Sequence, residues 1–542
     1  VYVVQGSGDA GNGVRVSTND GLTFGPPGPG QPPDDLIGKS KIAVTPAAPQ
    51  YVYAIYEDKP GVHTTGIYRS TDGGATWTAR NTTANIGGQQ GWFNLSLAAD
   101  PNDEQRVFAG GIRLYRSTDG AQNFLVIAQG QVHVDHHDAR YQPGSSNKLW
   151  VATDGGVYQT TDDGDAWTDR NAGLGTFQFY DICVAQSDPL RLVGGTQDNG
   201  TDVRPGGSNF WSDGLEGDGM PCVIDPFNED ILYGQLQFGQ IFKSWDGGES
   251  WENIENGMPQ GTGSFYTPLD IDRSNPQKLW TMRATTGRGT WRTSNGGSNW
   301  IPVNTIPAKS ISISRLNGNL VWIVDDDVFY TLNQGSSWFP AATIPFPTGN
   351  PFRVLAHPTD STSAFVTFTS YAPDVARVAR TTDFGATWED VSGDLPHLPV
   401  RAIAIDPLAP AHWFVGTDLG VWVSTNGGAN WIPYSAGLPN AVVWDLEIQE
   451  AARTITAATH GRGAWTVQIT PPLSTSAGAP APVSQRLMLD LPFPNPARDE
   501  VWLRWASKRP VPASLSMYDV HGRLVWRLDE QARGDGLVRR VP

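Results

Sequence analysis

The chain has 542 residues and a formal charge of -17, from 38 Lys+Arg against 55 Asp+Glu. A chain this acidic repels a phosphate backbone or an anionic membrane surface, so nucleic acid is not an expected partner, and no apolar run approaches the ~18 residues of a membrane span. Gly 61, Pro 41 and Trp 21 with only 17% charged residues suit many short strands and tight turns, and two cysteines, Cys183 and Cys222, are too few for a disulfide framework.

In chain order, the first residues, VYVVQGSGDAGNG, carry neither an initiator Met nor a basic-then-apolar leader, which reads as a fragment or processed form. Then one octamer returns again and again. It stands as STNDGLTF at 17–24, STDGGATW at 70–77, STDGAQNF at 117–124, TTDDGDAW at 160–167 and SWDGGESW at 244–251. It continues as TSNGGSNW at 293–300, TLNQGSSW at 331–338, TTDFGATW at 381–388 and STNGGANW at 424–431, with a degenerate GGSNFW ending at Trp211. The intervals, about 40 to 50 residues apart from one double gap, are of blade length. Around each octamer the pattern is an alternating strand ending near Asp-Pro, a second apolar strand, a tight turn, a third strand, the octamer and a short fourth strand, as in 400–431. Four antiparallel strands repeated radially predict an all-β propeller over 1–470. Residues 471–484 read as a Pro/Ala/Ser linker, and 485–542 as a small β-sandwich cut short at Pro542.

The octamers resemble the Asp-box, or BNR, repeat of bacterial sialidases, xyloglucanase-type glycoside hydrolases and sortilin-like Vps10 receptors. The resemblance implies either a tandem pair of seven-bladed propellers incomplete at the N-terminus, which the abrupt start favours, or one ten-bladed ring. Each boxed carboxylate or amide reads as a clip that gathers turn amides and the Ser/Thr hydroxyl, so Asp72, Asp119, Asp162, Asp246 and Asp383 are assigned to structure rather than catalysis. PNPARD at 494–499 and YDVHGRLV at 518–525 resemble the C-terminal sorting domain of type IX secretion cargo, which implies a secreted or cell-surface bacterial protein.

Blade topology puts the loop entering each inner strand and the turn between second and third strands on one face, at the channel mouth, where ligand-binding residues are expected. HVDHHD at 133–138 opens an inner strand there, with His133, Asp135 and His137 alternating onto one side and His136 and Asp138 onto the other. Strand spacing spreads i, i+2 and i+4 over about 13 Å, so a polar network ranks ahead of a metal site unless the strand bends. The same register brings Asp154, Phe179, Tyr180, Gln197, Asp198, Asn199, Glu216, Asp218 and Gln237 to this face.

HVDHHD, TDGGVY, TQDNG and GDGM, with GTDLGVW and THGRGAW, resemble secreted bacterial BNR-repeat proteins labelled glycosyl hydrolases. That implies binding or hydrolysis of extracellular polysaccharide through repeats four to six, with catalytic carboxylates drawn from Asp154, Asp198, Asp218 and Asp418, and His133, Asp135, His137, Phe179, Tyr180, Gln197, Asn199, Glu216 and Gln237 binding ligand. TDGG and TDLG turns have a simpler origin in tight-turn chemistry. No FRIP-type segment is present, so a sialidase is disfavoured; the rival expectation is a Vps10-like module for peptides or proteins. No cofactor and no metal are expected, and Cys183 and Cys222 read as small buried fillers.

Overall fold

The computed structural model describes residues 1–5, 12–145, 147–208, 210–259, 263–283 and 289–469, and the backbone of five strands between 488 and 541. Most blades reuse one solution to one problem. Apolar residues packed between neighbouring sheets supply the burial, and a polar octamer turn carries the chain from third to fourth strand. In the blade Ser40–Asn81, Ser70 Oγ donates to Asp72 Oδ1 (2.7 Å) and accepts from Gly74 N–H (2.8 Å), while Asp72 Oδ1 accepts from Thr76 N–H (2.8 Å). Trp77 then folds over the turn, its Nε1–H donating to Gly74 O at 3.2 Å. The Ser/Thr-to-Asp/Asn bond recurs at Ser17, Ser117, Thr160, Ser244, Thr293, Thr331, Thr381 and Ser424.

Four sheets come first, each packing on the next in chain order: the hairpin Tyr2–Val16, then the blades Ser40–Asn81, Ser96–Ile127 and His136–Asp169. Six four-stranded antiparallel sheets and one of three strands follow. Their inner strands are Phe179–Val184, Gly219–Asp225, Leu269–Ile271, Ser310–Ile313, Asn350–Ala356, Val400–Ile405 and Val443–Gln449. Each inner strand packs on the next, and the last returns to the first. Ile182 N–H donates to Asp445 Oδ2 (3.2 Å), Gln449 Nε2 to Gln186 O (2.8 Å), and Gln178 bridges His460.

Seven blades therefore close into a ring over about residues 177–469, preceded by an arc. This excludes the single ten-bladed ring. Packing between blades is apolar and dense, as at Val223, Tyr233, Ile241, Leu279, Trp291 and Trp300, all buried. Among the described residues there is no α-helix, only two short 3-10 turns. Residues Pro471–Pro542 form a second compact unit with a three-stranded sheet and a two-stranded hairpin. The motif at Pro494 to Asp499 lies outside the described residues.

Candidate functional site: a carboxylate cluster where arc meets ring

HVDHHD does not follow simple alternation. The strand begins only at His136, Asp135 sits at φ +64, and a bulge falls between His136 and Asp138. The preceding blade fixes this bend, since Asp135 N–H donates to Ile112 O and His136 N–H to Gly111 O. The expected extended spacing thus gives way to a turn that gathers the side chains. His136 is buried, and its imidazole is held down to about 4 by burial and then by His133 and His137. Asp135 accepts from the Asn94 amide, and its carboxyl is pushed up by burial and by Asp154. His137 Nε2 meets Asp154 Oδ1 at 2.5 Å, and Phe93 lies edge-on to the imidazole at 4.8 Å.

From the ring side, the turn Thr196–Gly200 reaches this lip. His133 Nε2 contacts Asp198 O at 2.8 Å, and Asn199 Nδ2 donates to Asp154 O at 3.0 Å. Asp198, at φ +62, also receives support from below: its N–H donates to Asp218 Oδ1, and Asp218 N–H to Gln237 Oε1, both at 3.0 Å. Burial first, then the charges of Asp154 and Asp218, push the Asp198 carboxyl up to about 6. A half-buried acid among three other carboxylates can hold a proton near neutral pH, as proton donation to a leaving group requires.

Among curated proteins the chain is similar to a xyloglucanase of Hypocrea jecorina (strain QM6a), 23% identical over 300 residues, covering 45% of this chain and 35% of that protein. The match spans about a third of that relative's length. No protein-family model matches. Similar solved structures include a GH74 enzyme of Niastella koreensis (TM-score 0.26, 15% identity, 84% of this chain and 80% of that one). A GH74 xyloglucanase from Xanthomonas campestris (0.30, 14%, 79% and 91%) and an ancestral GH74 enzyme (0.25, 15%, 91% and 77%) are two more. The propeller itself is read from this chain's own strand pairing.

The other expected positions divide. Tyr180 donates to Gln197 Oε1 at 2.9 Å, and its ring packs 5.3 Å from both Trp444 and His460 at the ring's mouth. Burial, then Asp218 and Asp198, raise its hydroxyl to about 12. Glu216 is exposed beside the cluster. Phe179 is a correction: it is completely buried against Phe177 and Trp211, because its side chain points between blades, and it offers no face to a ligand. Asp418 is held elsewhere, by Arg401 Nε at 2.8 Å and by the Tyr371 hydroxyl, not by any member of the cluster.

Sequence reasoning passed over Trp92 and Phe93, 61% and 39% exposed, which stand beside the His137–Asp154 pair on the loop before Asn94. The signal was two adjacent aromatics in a Gly-rich, polar loop, GGQQGWFN, which has no strand to bury them. Also missed was Trp444, under the Arg401 guanidinium at 4.7 Å, lining a cavity of about 430 Å³ with Ser264, Tyr266, Phe352 and Lys309.

Proposed function

We propose that the chain binds and hydrolyses an extracellular polysaccharide at the junction of arc and ring, with Asp198 as the proton donor and Asp154 as the second carboxyl of the pair. The observation that carries this reading is the Asp198 carboxyl, raised to about 6 amid Asp135, Asp154 and Asp218. Glycosidic cleavage uses two carboxyl groups flanking the bond, one of which gives its proton to the leaving oxygen. Asp154 is kept oriented by His137, and Asp218 positions the Asp198 turn through its backbone. Trp92 and Phe93 offer aromatic faces on which sugar rings stack. The similarity to a xyloglucanase makes a β-glucan the first substrate to try.

The repeated octamer hydrogen bonds support the Asp-box reading of the sequence. A secreted location by the type IX route rests on the motifs at 494–499 and 518–525. The test is release of reducing ends from soluble β-glucans, beside retention on the same glucans immobilised. Asp198→Asn should abolish release and keep retention; release at wild-type rate from the variant, or neither release nor retention by the wild type, overturns the proposal. Retention without release by the wild type leaves binding standing and removes the catalytic assignment.

A further inference from the structure

The two cysteines are not isolated fillers. Cys183 lies on the first inner strand of the ring and Cys222 on the second, and both line the ring's central channel together with Asp181. The Asp181 carboxylate and the two sulfurs all lie within 4.8 Å of one another. Tetrahedral coordination at Zn–S distances of ~2.3 Å sets sulfurs ~3.8 Å apart, so closure onto one ion requires only small side-chain shifts. The surroundings favour a cation. Asp181, Asp225, Asp270, Asp445 and Glu447 face Arg273, Arg315 and Arg353 around the channel, five carboxylates against three guanidiniums. Arg353 is committed mainly to Asp445, at 2.5 Å, and stands 3.9 Å from Asp181 Oδ1. Asp181 Oδ2 accepts the Cys222 N–H at 3.0 Å, which fixes the carboxylate beside that sulfur.

We infer that Cys183, Cys222 and Asp181 form a site for a soft divalent cation of the Zn²⁺ class, tying the ring's first two blades together and leaving one coordination position open to the channel. Two thiolates select against Mg²⁺ and Ca²⁺, which take oxygen ligands. Each thiol now points at a carbonyl, Cys183 Sγ at Cys222 O and Cys222 Sγ at Val193 O. Binding replaces both S–H protons by the metal, so protons are released as the ion binds. This site is independent of the polysaccharide reading.

The experiment titrates Cd²⁺ into the reduced, metal-free full chain and follows the thiolate-to-cadmium charge-transfer absorbance, with Zn²⁺ as competitor. One Cd²⁺ per chain, displaced by Zn²⁺, is expected. Cys183→Ser and Cys222→Ser should each lose the band. Asp181→Asn keeps the shape and the bond to Cys222 N–H, so it is the variant least prone to misfold, and it should weaken binding about tenfold or more. Absence of the band in the wild type overturns the inference. So does its survival in either cysteine variant, or a thiol assay of the unreduced chain that finds the two cysteines already joined.

Discussion

Ser70 carries more of its turn than Asp72 does. Its hydroxyl is buried and holds the Gly74 N–H, whereas Asp72 is solvent-facing and appears as Asn in the octamers at 19, 295, 333 and 426. The turn's amides and hydroxyls hold the Asp72 carboxyl down at about 2, led by Thr76. Asn keeps the accepting oxygen but loses the charge that the turn stabilises, so Asp72→Asn should lower the denaturation midpoint at pH 7 modestly, while Ser70→Ala strands a buried donor and costs about 1–3 kcal/mol. A second residue-scale effect has the opposite pH sign. Burial above all, with Asp58 adding, raises Glu57 to about 7, and burial raises Asp202 to about 8; each has one carboxyl oxygen without a partner. Between about pH 4 and these values the native state keeps protons that the unfolded chain has lost, so stability is greatest at the acid end of that window and falls as pH rises through it. Glu57→Gln should flatten the fall by about 3 kcal/mol in a series of urea titrations.

At the scale of the strand, inner strands are joined by side chains that capture the next blade's backbone. Asp445 takes Ile182 N–H, Asp181 takes Cys222 N–H, Asp270 takes Ile313 N–H, and Ser310 and Ser312 take Val354 and Ala356 N–H. Asp445 closes the ring and also pairs with Arg353, so Asp445→Ala leaves a half-buried guanidinium without its nearest partner. With the lost bond to Ile182 N–H, that should cost about 1–3 kcal/mol in the ring's unfolding transition. The strands themselves were legible, because alternation and octamer spacing reflect burial between sheets and a turn that only certain residues make. The joins were not: an aspartate in an apolar strand is visible as an anomaly, but its partner lies on the adjacent blade, which alternation does not identify. The same limit misled the reading of Phe179, whose neighbours look ligand-facing in sequence, and of HVDHHD, where a positive φ at Asp135 bends what alternation treats as straight.

Across the whole molecule, the candidate site belongs to neither the arc nor the ring alone. The acidic, amide and histidine residues expected at one face do gather, since blade topology forces second-to-third-strand turns onto the same side. What the sequence left open was the change of body between repeats four and five, because both sides of that boundary use the same repeat grammar. The structure makes His133 and Asn199 the ties across it: one reaches from arc to the Asp198 carbonyl, the other from ring to the Asp154 carbonyl. Neither lies on an inner strand of the ring, so removing either should leave ring closure intact. It should release the carboxyl groups from their mutual geometry, and the proposed hydrolysis would depend on that geometry more than folding does. His133→Ala and Asn199→Ala each remove one hydrogen bond across the junction, worth about 1 kcal/mol, so each should lower kcat/KM for a cleaved glucan by roughly five- to tenfold. Calorimetry should show the ring's transition unmoved in both variants. Because the two contacts hold one relative placement, the double variant should lose less than the product of the single losses. Multiplying losses would instead mean that each residue meets the substrate separately, and an unchanged kcat/KM in both would place hydrolysis away from this junction.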